Sequence, residues 1–292
     1  MKLLNIGCGP HFHPAWTNLD YVSTSTEVME WDIRKGLPFP SQSFDACYSS
    51  HVLEHITKSE VPKLLLEIYR VLKPGGIARI IVPDFERAAK DYLATLDQVL
   101  SDGGESDENY EWLVIEIIDQ SVRHFPGGEM AKYFRNTGRG NDEFVITRAG
   151  LEAETVIRQA RGALPAPPRR KLIEKFHSKR PAWFINEARR KTAGWLVWLV
   201  AGRAAAIAFN EGLFRCSGEI HQWVYDRYSL GKALREAGFY EPRVCTAESS
   251  LIPGFAAYGL DIQGGRVRKP DSLFMEAVKP LVTKIRDQQE KP

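Results

Sequence analysis

Apolar positions in the first 83 residues come in short runs cut off by Gly, Pro or Asp. KLLNIG (2–7), TNLDY (17–21), EVMEWD (27–32), FDACYSS (44–50) and IARIIVP (77–83) are short and apolar or β-branched, which predicts strands. Between the last two, SEVPKLLLEIYRVLKPGG places Leu64, Leu65, Ile68, Val71 and Leu72 at helical spacing. That predicts a helix capped by Ser59 and stopped by Pro74-Gly75-Gly76. Strands alternating with crossover segments predict a mostly parallel sheet.

From residue 84 the pattern changes. FERAAKDYLATLDQVL and ENYEWLVIEIIDQSV have the period of amphipathic helices, and DGGESDEN between them is a polar loop. ALPAPPRR (163–170) reads as a stiff Pro-rich connector. AGWLVWLVAGRAAAIAF (193–209) is unusually apolar. The first pattern returns with a helix in YDRYSLGKALREAGF (225–239) and strands in PRVCTAE (242–248) and SLFMEAVK (272–279). The expectation is one discontinuous α/β core, 1–83 and 219–279, split by a helical insertion, 84–218, and followed by a polar tail, 280–292.

Composition narrows the class without naming a partner. The chain has 292 residues, 43% hydrophobic and 26% charged, with a formal net charge of +2, so no nucleic-acid partner is expected. Four isolated cysteines (8, 47, 216, 245) show no C-x-x-C spacing and fit a reducing compartment. Too few apolar residues precede Gly7 for a signal peptide, and the expected location is cytoplasmic.

The chemistry concentrates at predicted strand ends. NIGCG ends the first strand in G-x-G, a turn that lets a ligand approach the backbone. Asp20 ends the second strand, where a carboxylate can accept from a ribose diol. Asp32 ends the third, with Leu37 and Phe39 as an apolar wall for a base. Ser49, Ser50 and His51 end the fourth. Ligands of open parallel sheets bind outside these carboxyl ends, so Gly7, Gly9, Asp20, Asp32 and Ser49 should gather there. Each Asp taken singly reads first as a turn former or helix cap, and it is their joint placement that points to a ligand.

LNIGCGP, NLD, WDIRKGLPFPSQSFDACYSSHVLEH, EIYRVLKPGGIARIIVPD and, later, GEIHQWVYDRYSLGKALREAGF together resemble a class I S-adenosylmethionine-dependent methyltransferase. The likeness is greatest to a group found among polysaccharide-biosynthesis enzymes. It covers about 1–85 and 217–279, and implies a Rossmann-like, seven-stranded, mostly parallel sheet with an antiparallel last strand. It also implies S-adenosyl-L-methionine as cofactor, with Asn5, Gly7, Cys8, Gly9, Asp20, Asp32, Ile33, Ser49, Ser50 and His51 in its site. Gly7 and Gly9 would face the methionine part, Asp20 the ribose and Asp32 the adenine. Three features depart from the family pattern. Asn5 stands where an acid is usual, Pro10 and His11 stand near the third glycine position, and only ten residues separate Gly9 from Asp20. That link is too short for a full crossover helix.

Methyl transfer from a sulfonium is an in-line displacement that rests on positioning, with a general base when the acceptor is a hydroxyl. His221, near Glu219 and Asp226, is the first candidate base and His51 the second; His13 and His124 are weaker. Tyr225 and Tyr228 either line the acceptor pocket or pack in the core. HVLEH (51–55) matches the H-x-x-E-H zinc-peptidase pattern, but its context, a turn after a strand of a dinucleotide-like sheet, argues for hydrogen bonding by Glu54 and His55 and for no metal.

Residues 161–191 hold ten Lys or Arg against two Glu, either a solvated face or a surface for an anionic or lipid-linked glycan acceptor. The apolar 193–209 is too short to span a bilayer and is interrupted by Arg203. It reads as a buried lid, a homodimer helix or a peripheral membrane contact. The expectation is a methyltransferase acting on a hydroxyl of a sugar or related small molecule. The rivals are a nicotinamide oxidoreductase, for which the proline after Gly9 is wrong, and a non-catalytic cofactor-binding or membrane-associated scaffold.

Overall fold

The computed structural model describes residues 1–23, 25–136, 138–165 and 181–281. Five strands come first: β1 (Leu3–Ile6), β2 (Trp16–Asp20), β3 (Val28–Glu30), β4 (Phe44–Ser50) and β5 (Leu72–Pro83). Two more, β6 (Tyr240–Cys245) and β9 (Ser272–Val278), complete a sheet of order β3-β2-β1-β4-β5-β9-β6. β1 to β5 pair in parallel, and β9 runs antiparallel to both β5 and β6. This is the expected Rossmann-like α/β sheet. A small ribbon, β7 (Ile262–Gln263) with β8 (Arg266–Val267), lies outside it and was not foreseen.

Between β4 and β5, α1 (Val61–Val71) buries Leu64, Leu65, Ile68 and Val71 against Ile6, Leu19 and Ile80 of the sheet. Its start and stop differ from the sequence expectation. The helix begins after Glu60, with no side-chain cap, and Ser59 Oγ lies against Thr57 Oγ1 instead. It ends at Val71 rather than at Pro74, because Leu72 already pairs with Phe44 in the sheet. Between β1 and β2 there are only turns, as the short link requires.

The other face of the sheet is closed by residues 246–261, and a buried ion cluster holds them there. Arg79 on β5 is fully buried, donates to Asp261 at 2.6 and 2.8 Å and to Glu276 of β9 at 2.8 Å, and stacks between Phe255 and Phe274. Tyr48 donates to the other Asp261 oxygen at 2.6 Å. A buried guanidinium persists only when so fully paired.

After β5 the chain leaves the sheet for α2 (Phe85–Asp102), α3 (Asp107–Val122), α4 (Gly128–Arg135), α5 (Asp142–Ala160) and α6 (Pro181–Arg215). It returns through α7 (Arg227–Glu236). Trp112, Tyr133, Val145, Ile146, Ala153 and Ile157 give the insertion a core of its own. It is fastened to the sheet domain at Gly150, where α5 breaks with φ +78°. A Cβ at Gly150 would meet the Arg268 carbonyl oxygen at 2.1 Å, so only glycine permits this approach.

α6 is not one rod. The chain reverses at Gly202, and a Cβ at Gly194 would lie 3.8 Å from the Phe209 ring, so its two arms form a hairpin. Trp195, Trp198, Leu199, Val200 and Ile207 are all more than half exposed. Of the three readings of 193–209, the buried lid finds no cover among the described residues. The Pro-rich connector beyond residue 165, six of the ten basic positions in 161–191 and the tail beyond 281 lie outside the described residues.

Candidate functional site

β1 ends at Ile6 and the chain turns through Gly7, Cys8 and Gly9 at the carboxyl edge of the sheet. Gly7 has φ +65°, and a Cβ there would meet Val52 Cγ2 at 2.3 Å, so the turn is pressed against the segment that follows β4. Asp20 at the end of β2 holds the turn: Gly9 N–H donates to its Oδ2 at 2.8 Å and Val22 N–H to its Oδ1 at 3.1 Å. A carboxylate has about four acceptor positions, so half remain for a ligand diol. Asp32 caps a short 3₁₀ turn, Ile33–Lys35, and is held below the usual carboxylate range by its hydrogen bond from Arg34. The Trp31 indole is fixed by donating to the Gly36 carbonyl at 2.7 Å.

These residues surround a cavity of about 480 Å³ lined by Gly7, Asp20, Trp31, Asp32, Ile33 and His51, among others. The size falls within the roughly 300–1,000 Å³ of small-molecule sites. A side-chain-free turn, a carboxylate with free lone pairs and an apolar wall suit a nucleoside with a charged tail. A second cavity, about 310 Å³, is lined by Asn5, Cys8, Gly9, Ser50 and His11, and by Glu152 and Arg268 from beyond the core strands. Gly7 and His51 line both cavities. In the second, Glu152 pairs with His11 at 3.2 Å and is held down at about 2 by that hydrogen bond, with Lys269 and Arg268 nearby.

Of the residues expected from sequence, Gly7, Asp20, Asp32, Ile33 and His51 come together in the first cavity, and Asn5, Cys8, Gly9 and Ser50 in the second. Asn5 is fully buried and donates to Asn18, its register partner on β2, at 3.1 Å. Burial pushes the Cys8 thiol up to about 12, so it is no nucleophile at neutral pH. Ser49 is fully buried and borders neither cavity.

The two histidines differ. His51 sits at φ +55°, a conformation rare for a non-glycine residue, with Nε2 2.8 Å from Ser272 Oγ and Nδ1 3.2 Å from Glu54 Oε1. Such an arrangement places Nδ1 against an orienting acid and Nε2 against a hydroxyl, while the residue lines both cavities. His221 lies behind it, 9% exposed, stacked edge-on to His55 with ring centroids 4.7 Å apart, and borders a third, small cavity with Asp84 and Tyr225. Burial lowers the pKa of His221 to about 3 and lowers that of His55. Burial opposes ionisation of Glu54, but the neighbouring His51 outweighs it and lowers the carboxyl's pKa. Sequence reasoning missed Trp31, Val52 and Glu152, and also 216–218, which reach the first cavity from the end of the insertion.

Residues 4–80 match the family model described as a methyltransferase domain. That span runs from β1 through most of β5 and carries the glycine turn, both aspartates and the HVLEH segment. A ubiquinone/menaquinone biosynthesis C-methyltransferase, UbiE, of Enterobacter sp. (strain 638) is 33% identical over 162 residues, covering 52% of this chain and 55% of that protein. A demethylmenaquinone methyltransferase of Listeria welshimeri is 29% identical over 125 residues, covering 40% and 50%. The chain thus spans about half the length of the curated relatives it matches. Among solved structures, a SAM-dependent methyltransferase from Archaeoglobus fulgidus aligns over 95% of this chain and 86% of its own, at 10% identity and a TM-score of 0.36.

Proposed function

We propose that the protein transfers a methyl group from S-adenosyl-L-methionine to a hydroxyl of a sugar or related small molecule. The observation that carries this reading is the meeting of the two cavities at Gly7 and His51. The first cavity would hold the cofactor, with Asp20 accepting from the ribose and Asp32 facing the base. The second would hold the acceptor, with Arg268 and Lys269 available to an anionic group. S-adenosylmethionine supplies an activated methyl on a positively charged sulfur. In the transfer the C–O bond forms as the C–S bond breaks, the electron pair stays on sulfur, and the hydroxyl proton passes to His51. Glu54 orients that imidazole through Nδ1. Positioning and a general base are the contributions asked of this chain.

The exposed hairpin supports a membrane surface as partner. Within Ile185–Arg215 an 18-residue stretch has a mean hydropathy of 1.5 with none of it buried, and Arg189, Arg190 and Lys191 stand near the start of the segment. An apolar face with tryptophans and adjoining basic residues suits an anionic lipid interface. Its far end leads straight into 216–218 at the cofactor cavity, which suits a lipid-linked acceptor. The same hairpin favours, as a second reading, a membrane-associated scaffold without turnover. The relatives' names point to carbon acceptors on quinones, and an acceptor screen should include them.

Calorimetric titration with S-adenosylhomocysteine, with NADH as control, tests the cofactor. Binding of the first alone is expected, followed by transfer of labelled methyl to a hydroxyl acceptor. Absence of binding by either sinks the enzyme reading and leaves the scaffold.

A further inference from the structure

HVLEH was set aside above as a metal motif because of its context, a turn after a strand of a dinucleotide-like sheet. The fold changes its surroundings. It brings His221, from the far end of the insertion, to Glu54 and His55, so that one ligand atom from each lies within 4.8 Å of the others. We infer that Glu54, His55 and His221 form a binding site for a divalent transition-metal cation.

Glu54 is the strongest sign. Its side chain is 1% exposed, and neither carboxylate oxygen has a well-directed hydrogen bond. The nearest group is His51 Nδ1, 3.2 Å from Oε1. The neighbouring Arg123 is taken up by Asp119 at 2.9 Å and Glu219 at 3.1 Å. A buried carboxylate without a full partner is expensive unless a cation joins it.

The carboxylate is also not needed to hold the fold together here. The two chain segments are clasped by backbone: Gln222 N–H and Trp223 N–H both donate to the Glu54 carbonyl, at 2.6 and 3.3 Å, and His221 N–H donates to the Gln120 carbonyl at 2.9 Å. The three side chains are left facing one another.

His55 is prepared as a ligand. His55 Nδ1 lies 3.3 Å from the Ile220 carbonyl. That contact places the proton on Nδ1 and frees Nε2, the usual outer support of a metal-bound imidazole. Two imidazoles and one carboxylate are the ligand set of open, catalytic sites that keep a further position for water or substrate. Bond lengths of about 2.1 Å put tetrahedral ligand atoms about 3.4 Å apart, so each atom need move inward by less than about 1 Å. His55 borders the cofactor cavity and His221 the small third one, so the cation would lie between them.

The use of such a cation rests on the methyl-transfer reading; its binding does not. None of the three ligands borders the second cavity, so the cation would act through Glu54, 3.2 Å from His51 Nδ1, by fixing the base at the cavity junction.

The test uses the 292-residue chain without a histidine tag, stripped with EDTA, and titrated separately with Zn²⁺, Mn²⁺ and Co²⁺ by calorimetry. The Co²⁺ titration is also followed by visible absorption. One equivalent is expected to bind, with the absorption of a four- or five-coordinate centre. Glu54→Gln and His221→Asn should each weaken binding at least ~10-fold, while His124→Asn leaves it unchanged. His55→Asn is the further variant if either buried substitution unfolds the protein. No stoichiometric uptake by the stripped wild type, or wild-type affinity in a folded Glu54→Gln protein, overturns the site. S-adenosylhomocysteine titrated into the same sample separates the two claims. Its binding without metal uptake ends this inference alone, and metal uptake without it ends the methyl-transfer reading alone.

Discussion

Replacing Gly7 with alanine tests whether the glycine turn and the segment after β4 are one packed unit. Two effects add. Alanine at φ +65° loses about 1–2 kcal/mol relative to its preferred backbone. Its Cβ would also stand 2.3 Å from Val52 Cγ2, and Val52 is only 8% exposed, so the overlap cannot be relieved into solvent. Overpacking of this kind costs about 1–3 kcal/mol. The total is roughly 2–5 kcal/mol, or a fall in melting temperature on the order of 4–20 °C. Gly9 is the internal control. It also has positive φ, +55°, but a Cβ there meets nothing within 4 Å, so Gly9→Ala should cost only the backbone part, about 1–2 kcal/mol. Val52→Ala removes the opposing methyls and alone loses about 1.6 kcal/mol of burial. Combined with Gly7→Ala it removes the overlap, so the pair should be more stable than the sum of the singles by about 1–3 kcal/mol. Thermal and urea denaturation of the four proteins measure this cycle. Additive singles, or a Gly9→Ala variant as unstable as Gly7→Ala, would refute the close approach.

Two further perturbations address what holds the site's frame. Arg79→Met leaves Asp261 and Glu276 buried without their cation, and should destabilise by about 3–5 kcal/mol in urea unfolding; a loss below about 1 kcal/mol would show that the cluster is dispensable. Asp226 caps α7, accepting from Tyr228 N–H and Ser229 N–H at 2.9 and 2.7 Å, and the Ser229 hydrogen bond holds its pKa below the ordinary aspartate range. The folded-state value lies below the unfolded one, so its stabilisation is present above the unfolded value of about 3.9 and is lost as pH falls through the folded value. Asp226→Ala should therefore cost about 1 kcal/mol at pH 7, with the gap closing in acid; a gap independent of pH would contradict the cap.

The sheet was legible because its information is local. Short apolar runs ending in Gly, Pro or Asp mark β1 to β5, and the carboxyl ends of those strands place Gly7, Asp20, Asp32 and His51 on one edge without any knowledge of the rest of the chain. The errors arose where pairing across the sheet overrides local signals. Leu72 reads as the last turn of a helix, but Phe44 claims it for the ladder. Ser49 reads as an edge residue beside Ser50, yet strand alternation turns it inward, fully buried. What the sequence hid altogether depends on the insertion's return. Gly150 looks like a weak point in a helix until the Arg268 carbonyl is found 2.1 Å from where its Cβ would be, and that docking is what delivers Glu152 to the second cavity. His221 stands 166 residues from His55, and no spacing rule links them. Its nearness to Glu219 and Asp226 in sequence suggested a base with an acidic neighbour, but the fold pairs Glu219 with Arg123 and spends Asp226 on a helix cap. The acid that His221 meets is Glu54, in a motif dismissed on its local context, a turn after a strand. A ligand set completed across an insertion is invisible to any window of the sequence, which is why the proposed cation site could emerge only from the folded chain.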